Sequence, residues 1–254
     1  MSSVLVTGGA GFIGSHLCEA LLSQGARITC LDDLSTGRVG NVAHLLAEPG
    51  FAFVQGDVAD PGVWDRLPAA RRVFHLASPA SPEDYQAAPV QTIRTNVVGT
   101  LNALGFARTH QARVLLTSTS EVYGTARVAP IGEDHPLQGQ SPYSASKIGA
   151  DKLAESFSCA YDLPVVTVRP FNTYGPGQSG RAVIPTIITQ ALCRDVVQLG
   201  NLEATRDFTF IEDTVAGFIQ AAENQNSLGE VFNLGTGEEI AIGELARRII
   251  KIIG

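Results

Sequence analysis

Short apolar runs alternate with longer amphipathic stretches along the chain. The apolar runs cover residues 4–7, 28–31, 51–54, 72–76, 114–118, 165–168 and 231–234. Runs of this length are typical of buried strands, whereas long amphipathic stretches such as 89–110 and 143–161 are typical of helices that pack on a sheet. Strands that alternate with helices predict an α/β protein with a doubly wound parallel sheet, whose carboxyl edge binds the ligand.

The pattern becomes less regular after residue 170. It predicts a helix over 182–194, a short strand near 196–199, a helix that ends at 223 and a last helix over 242–253. A Gly/Pro-rich loop over 174–180 precedes these elements. Together they predict a small carboxy-terminal lobe beside the sheet.

The first strand leads into a glycine-rich loop, residues 8–14, and then into a helix. Glycines at this spacing permit a tight turn and let the backbone approach a pyrophosphate, whose charge the helix amino terminus attracts. The second strand ends at Asp32 and Asp33, where a carboxylate binds ribose hydroxyls and repels a 2′-phosphate. Since Arg38 is the only basic residue nearby, the sequence predicts a Rossmann-like fold that binds NAD rather than NADP.

Tyr143 and Lys147 are four residues apart at the start of a predicted helix, so they lie on one face, one turn apart. A free phenol has a pKa of about 10, and a nearby ammonium favours the phenolate. We therefore expect Lys147 to lower the pKa of Tyr143 so that Tyr143 takes a proton from an alcohol. The spacing alone is a weak signal, because it occurs on many solvated helices; its weight comes from the glycine loop upstream.

Composition narrows the class of protein. Of 254 residues, 44% are apolar and 17% charged, which is typical of a compact enzyme, and a net charge of -7 disfavours nucleic-acid and anionic-membrane partners. With no basic-then-apolar leader and no apolar run of about 20 residues, we expect a cytoplasmic protein. The cysteines, Cys18, Cys30, Cys159 and Cys193, lack metal-ligand spacing and are expected to be buried, reduced thiols; His75 is expected to be structural. No metal site is predicted.

Six signals occur in order: residues 7–14, Asp32, residues 57–58, residues 118–124, the Tyr143/Lys147 pair and residues 169–176. With them the chain resembles the extended short-chain dehydrogenase/reductases that act on sugar nucleotides. The resemblance implies a Rossmann domain over 1–170, to which 212–240 returns, with tightly held NAD. It also implies a small lobe, 171–211 and 241–254, that grips a nucleotide diphosphate. Relatives usually continue past this length, so the lobe is expected to be partial, and a homodimer built on helices 89–110 and 143–161 is expected.

The resemblance also implies roles for individual residues. Tyr143 would deprotonate the sugar 4-hydroxyl, Lys147 would hold the nicotinamide ribose and Thr119 would hydrogen-bond the same hydroxyl. The implied cofactor site consists of Gly8, Gly11, Phe12, Ile13, Gly14, Asp32, Asp33, Asp57, Val58, Leu76, Ala77, Ser78, Asn96, Tyr143, Lys147 and Pro170. The implied substrate site consists of Ser78, Tyr85, Asn172, Arg181 and Arg206.

Glu121 narrows the expected reaction. Once C4 of the sugar is a ketone, a carboxylate such as Glu121 can remove the C5 proton so that water leaves C6, with Ser120 as a donor to the departing hydroxyl. The carboxy-terminal half, including residues 135–143 and 181–185, resembles N-acetylhexosamine-nucleotide 4,6-dehydratases, whereas residues 31–37 and 75–85 resemble UDP-glucuronate decarboxylases. We place the dehydratase first, because the carboxy-terminal half supplies most of the contacts expected to bind the substrate. A decarboxylase, a 4-epimerase and a non-catalytic NAD-binding module stay as alternatives.

Overall fold

The centre of the molecule is a seven-stranded parallel sheet. The structure is a computed structural model that describes residues 2–254. The strands are β1 (Ser3–Thr7), β2 (Arg27–Asp32), β3 (Phe51–Gln55), β4 (Arg72–His75), β5 (Arg113–Thr117), β6 (Val165–Pro170), β7 (Asn172–Tyr174), β8 (Thr205–Arg206), β9 (Phe208–Phe210), β10 (Val231–Leu234) and β11 (Ile240–Ala241). The central sheet has the order β10-β6-β5-β4-β1-β2-β3. The predicted doubly wound parallel sheet is confirmed, and the order reverses between β1 and β4, where such sheets bind ligands.

Helices cover both faces of this sheet. They are α1 (Phe12–Ser23), α2 (Pro61–Trp64), α3 (Pro82–Ala87), α4 (Pro89–His110), α5 (Pro142–Tyr161), α6 (Val183–Cys193), α7 (Ile211–Glu223) and α8 (Ile242–Ile253). Leu17 of α1 and Phe218 of α7 share one buried cluster with Val6, whereas Leu104 of α4 lies in a second cluster with Leu5. Adjacent strand residues point to opposite faces, so β1 supplies both cores.

The chain after β6 builds the smaller part of the fold. β7 pairs with β9 and β8 pairs with β11, while α7 and β10 pack back onto the central sheet. The prediction of a strand near 196–199 is wrong. The backbone N–H of Gln198 donates to the side chain of Gln190 at 2.8 Å, and that side chain donates to the Gln198 carbonyl at 3.0 Å. A helix side chain thus satisfies the groups that a neighbouring strand would have satisfied. The domain boundaries stay a prediction.

The cysteine prediction is correct for two of the four thiols. Cys18 and Cys30 are fully buried against each other, and burial together with this contact raises the pKa of the Cys18 thiol. Cys159 and Cys193 are exposed, which corrects the expectation of buried thiols. They lie on the outer faces of α5 and α6, which sequence spacing did not identify. Within residues 2–254, none of the helices combines the length and the apolar character needed to cross a bilayer.

His75 is a structural residue, as predicted. Its ring nitrogens lie 2.7 Å from the hydroxyl of Thr7 and 3.1 Å from that of Thr100, and the side chain is buried. Burial lowers its pKa to about 3, so the ring is neutral at ordinary pH. It ties β1, β4 and α4 together.

Candidate active site

A long cleft of about 1390 Å³ runs along the carboxyl ends of the central strands. The loops after β1, β2, β4, β5 and β6 line it on one side, and residues 177–184 line it on the other. Pockets for a single small ligand usually measure roughly 300–1,000 Å³. This cleft therefore has room for two ligands placed end to end.

The glycine loop forms one end of the cleft by close backbone contact. Gly8 has a left-handed φ of +71°, and a Cβ there would lie 2.7 Å from the backbone nitrogen of Ala77. A Cβ at Gly14 would collide with the carbonyl oxygen of Gly8 and lie 2.7 Å from the Cα of Gly9. Only glycine fits either position, so α1 begins close against the loop and its first N–H groups border the cleft.

The two carboxylates after β2 have different partners. Asp32 is buried, and its oxygens accept hydrogen bonds from the backbone N–H groups of Ala10 at 2.9 Å and Leu34 at 2.8 Å. Burial raises the Asp32 pKa, and these two N–H groups oppose the rise. Leu34 has a left-handed φ of 64°, so the chain turns sharply just after β2. Asp33 instead accepts from the N–H and hydroxyl of Ser35, at 2.9 and 2.6 Å. Both carboxylates line the cleft.

Most of the predicted cofactor residues line this cleft together. They are Gly8, Gly11, Phe12, Ile13, Gly14, Asp32, Asp33, Val58, Leu76, Ala77, Ser78, Tyr143, Lys147 and Pro170. Asp57 is not among the lining residues; its carboxylate accepts from the N–H of Ala59 at 2.8 Å. Asn96 is also absent from the lining, because it is buried between helices and donates to the Ser146 hydroxyl at 2.8 Å. Both side chains support the elements around the cleft and do not form its surface.

All five predicted catalytic residues line the middle of the cleft: Thr119, Ser120, Glu121, Tyr143 and Lys147. The strand predicted over 114–118 is β5, which ends at Thr117, and a 3-10 helix covers Ser120–Tyr123. The Thr119 hydroxyl caps that helix by accepting from the Glu121 N–H at 3.2 Å. This turn brings Glu121 to the wall of the cleft.

A reciprocal cap fixes the start of α5. The Ser141 N–H donates to the Ser144 hydroxyl at 2.9 Å, and the Ser144 N–H donates to the Ser141 hydroxyl at 3.0 Å. Tyr143 stands between them, in the first turn. Lys147 follows one turn later and donates to the Thr117 carbonyl at 2.8 Å, with its Nζ 5.9 Å from the centre of the Tyr143 ring. The two side chains thus lie one turn apart at the start of α5, as predicted, and the catalytic role of the pair stays a prediction.

The expected effect of this pairing on the pKa of Tyr143 is wrong for the protein alone. Burial raises the Tyr143 pKa, and the negative charge of Glu121 raises it further, whereas the Thr119 hydroxyl partly opposes the shift. Burial also lowers the Lys147 pKa to about 8. Both effects have one cause: a buried site disfavours the charged form of each group. The sequence shows the pair but not how deeply it is buried.

Tyr85, predicted to contact substrate, lies against Tyr143. Its ring stacks on that of Tyr143, with centroids 5.5 Å apart and planes 6° from parallel. Tyr85 is buried and is not among the residues that line the cleft. Burial and the charge of Glu121 raise its pKa. The stack fixes the plane of the Tyr143 ring, so in the structure Tyr85 supports Tyr143 rather than the surface of the cleft.

The remaining predicted substrate residues divide into two groups. Ser78, Asn172 and Arg181 line the cleft. The Arg181 guanidinium is exposed and pairs with the carboxylates of Glu83 at 2.7 Å and Asp84 at 3.0 Å, which joins α3 to the loop before α6.

Arg206 does not line the cleft. It is exposed and donates to the carbonyl of Thr205 at 2.7 Å. Its charge nevertheless reaches Glu121, whose pKa is raised by burial and held back by Arg206.

Three polar residues of the cleft, Thr117, Ser118 and Gln178, were given no role from the sequence, whereas Ser78 was predicted. The buried side-chain oxygens Ser78 Oγ, Thr117 Oγ1, Ser118 Oγ and Gln178 Oε1 belong to cleft-lining residues and have no hydrogen-bond partner within residues 2–254. Unsatisfied buried polar groups are uncommon, and a ligand that supplies partners explains them. Thr117 is the last residue of β5 and Ser118 follows it, so their position at the strand end could have identified them; Gln178 lies in an irregular loop with no such signal.

A family model described as GDP-mannose 4,6 dehydratase matches residues 5–254. UDP-glucuronic acid decarboxylase 2 of Arabidopsis thaliana is 39% identical over 259 residues, which is 98% of this chain and 57% of that protein. UDP-glucuronic acid decarboxylase 1 of Xenopus tropicalis is 38% identical, over 99% of this chain and 60% of that protein. The chain therefore spans less than two thirds of the length of these curated relatives.

Solved structures agree in fold. A dTDP-glucose 4,6-dehydratase from Streptomyces venezuelae, with NAD and TYD bound, superposes with a TM-score of 0.92 and 33% identity, covering 99% of this chain and 81% of that chain. A UDP-N-acetylglucosamine 4-epimerase from Methanobrevibacter ruminantium M1 has a TM-score of 0.92 and 31% identity, covering 99% and 82%. The protein thus belongs to the GDP-mannose 4,6-dehydratase family, extended short-chain dehydrogenase/reductases that include NAD-dependent sugar-nucleotide dehydratases, decarboxylases and epimerases.

Proposed function

We propose that the protein binds NAD at the glycine-loop end of the cleft and modifies a nucleotide-linked sugar at the other end. The closely packed Gly8 and Gly14, the carboxylate of Asp32 and the unpartnered hydroxyls of Thr117 and Ser118 fit a dinucleotide. The cleft is also large enough for a second ligand. The solved dehydratases with NAD bound support this cofactor.

Gly14→Ala should abolish NAD binding, because the added methyl group has to displace the backbone of Gly8. Isothermal titration calorimetry with NAD measures the effect. Gly40→Ala is the matched control, since a Cβ at Gly40 meets no atom within 4 Å and Gly40 is not among the residues that line the cleft. Equal NAD affinity in the two variants would contradict the assignment of the glycine loop.

The chemistry begins at C4 of the sugar. Bound NAD would accept a hydride from C4 and return it later in the same turnover. Tyr143 takes the proton of the C4 hydroxyl, and Thr119 orients that hydroxyl. Burial raises the pKa of Tyr143, and the charge of Glu121 raises it further, so we expect the phenol to need the charged Lys147 beside it when it acts as a base.

Our leading reaction is decarboxylation of UDP-glucuronate. The observation that carries it is the 36–39% identity to UDP-glucuronic acid decarboxylases over nearly the whole chain. A ketone at C4 stands β to the C6 carboxylate, so the C5–C6 bond breaks and carbon dioxide leaves. The electron pair enters the C4 carbonyl as an enolate, and a proton then adds to C5. Reduction at C4 completes the turnover.

The second candidate is 4,6-dehydration, which was placed first from the sequence. It is supported by the position of Glu121 in the cleft beside Tyr143 and by the solved dehydratases. Glu121 would take the C5 proton while the C6 hydroxyl leaves as water, with Ser120 as its hydrogen-bond donor. Dehydration needs a carboxylate at this place and decarboxylation is compatible with one, so the motif does not choose between them; the curated relatives favour decarboxylation and reverse our order.

Mass spectrometry of the protein incubated with UDP-glucuronate, UDP-glucose and UDP-GlcNAc, without added cofactor, separates the candidates. Loss of carbon dioxide from the glucuronate supports the leading reaction, and loss of water from a hexose nucleotide supports the second. An epimer of unchanged mass, resolved by chromatography, would contradict both. No product from any of them would favour a non-catalytic NAD-binding module.

We also propose that two copies of the chain associate through α4 and α5. Val90, Ile93, Val98 and Leu101 lie along one face of α4 and are exposed, Val90 by 77% and Leu101 by 45%. The expected result is a mass near twice 26.8 kDa by light scattering, and a monomer for Leu101→Glu, since a charge would enter the apolar face. Val128→Glu, at an exposed loop position, is the control. A monomeric wild type would contradict the dimer.

A further inference from the structure

Helix α5 carries three ionisable side chains at intervals of four residues: Tyr143, Lys147 and Asp151. Residues four apart lie on one face of a helix, one turn from each other. The three are only 6%, 3% and 5% exposed. Tyr143 and Lys147 line the main cleft, but Asp151 lines a separate cavity of about 570 Å³ on the far side of Lys147. The proposed reaction leaves this buried carboxylate without a role.

Asp151 is held by a second buried charge. One of its oxygens, Oδ2, accepts from Nε of Arg169 at 3.1 Å and from Nη2 at 2.9 Å. Arg169 is fixed in turn, because its Nη1 donates to the Tyr123 hydroxyl at 2.8 Å and that hydroxyl donates to Asn233 at 2.6 Å. The other oxygen, Oδ1, is buried and makes no hydrogen bond of good geometry in the described part of the chain, although the Ser118 hydroxyl is near enough to lower the Asp151 pKa. Arg169 thus holds one oxygen, and the other faces a hydroxyl of the main cleft.

The charge of Arg169 affects Asp151, and the charge of Asp151 in turn affects Lys147. Burial raises the Asp151 pKa, and the charge of Arg169 is the main effect that opposes this shift. Burial lowers the Lys147 pKa, and the charge of Asp151 opposes that shift. Asp151 contacts Arg169 directly and lies one helical turn from Lys147, so its loss would leave two buried cations without this nearby anion, which is a costly arrangement. The other titratable groups around the pair are Tyr143, His75, Tyr123, Glu133 and His135.

We infer that Asp151 is a positioning residue: it is the counter-ion that keeps the Lys147 ammonium charged in its place beside the Tyr143 ring. It does not line the main cleft, so it acts through Lys147 and touches neither cofactor nor substrate. This inference rests on the proposed function, since the role of Lys147 is part of it. The alternative is a purely structural ion pair that ties α5 to β6.

The test is the pH dependence of Asp151→Asn, which keeps the shape of the side chain and removes its charge. Above the pKa of Lys147 the ammonium is lost, so kcat and NAD affinity fall on the alkaline side. In the variant the alkaline limb, the fall of kcat at high pH, should begin about one pH unit lower than in the wild type. At pH values above the limb kcat should then be about tenfold lower than in the wild type, with little change in KM for the nucleotide sugar. A loss of equal size at every pH would overturn the inference, because a structural ion pair predicts that result.

Two variants and a second measurement keep the test decisive. Tyr123→Phe removes a hydrogen bond to Arg169 from the same network without changing its charge, so the limb should stay in place. Asp151→Glu keeps the charge and should also keep the limb; if Asp151→Asn does not fold, a limb shifted by a full unit in Asp151→Glu would overturn the inference. Calorimetry of NAD binding at pH 7 and pH 9 needs no turnover. A wild type that converts no sugar nucleotide would therefore refute the proposed function while leaving Asp151 testable.

Discussion

Replacing Tyr143 with Phe should lower kcat by about 10²- to 10⁴-fold while NAD stays bound, because the variant loses the hydroxyl that takes the C4 proton and keeps the ring. The ring of Tyr143 stacks on Tyr85, and phenylalanine preserves that contact. Neither the glycine loop nor Asp32 is affected. We therefore expect the loss to lie in chemistry rather than in folding or cofactor binding.

Two measurements check this result. Steady-state assays with the sugar nucleotide give kcat, and chromatography of nucleotides released from the denatured protein gives the NAD content. Tyr85→Phe is the matched control, since it removes a hydroxyl from the ring that stacks on Tyr143 and leaves the proposed base in place. Near-normal turnover by Tyr143→Phe would show that another group takes the proton.

The fold was largely predictable because its signals are local. The helix predicted over 89–110 coincides with α4, and the strand predicted over 231–234 coincides with β10. Apolar runs of strand length and a glycine loop between strand and helix depend on neighbours in the sequence, so they are visible without a structure. The strand expected near 196–199 failed because one distant side chain, Gln190, takes its hydrogen bonds.

The candidate site was predictable to the extent that topology determines it. Loops at the carboxyl ends of parallel strands meet at one edge, so Gly8, Asp32 and Thr119 had to converge. What the sequence could not show is which groups would be buried together. Asn96 supports α5 from behind the cleft, and the raised pKa of Tyr143 follows from burial depth, which only the packed structure defines.

Glu121 links these electrostatic observations to the choice of reaction. Its charge raises the pKa of both Tyr143 and Tyr85, while the charge of Arg206 opposes the effect of burial on Glu121 itself. The protonation of Glu121 and the basicity of Tyr143 are therefore coupled, and removing the charge of Glu121 should ease proton transfer to Tyr143 rather than hinder it.

Glu121→Gln should consequently spare oxidation at C4, which the absorbance of reduced nicotinamide reports. If the protein is a dehydratase, release of water should fall by about 10²-fold or more, because no carboxylate remains to take the C5 proton. If it is a decarboxylase, release of carbon dioxide should continue, since cleavage of the C5–C6 bond needs no base at C5.

Glu133→Gln provides the control for Glu121→Gln. Glu133 accepts a backbone hydrogen bond from Asn233 at 2.8 Å and lines the separate cavity rather than the cleft, so it should alter neither step. Undiminished elimination of water by Glu121→Gln would remove Glu121 from the role of base. Loss of C4 oxidation in that variant would instead show that Tyr143 needs the carboxylate, against the direction in which its charge shifts the Tyr143 pKa.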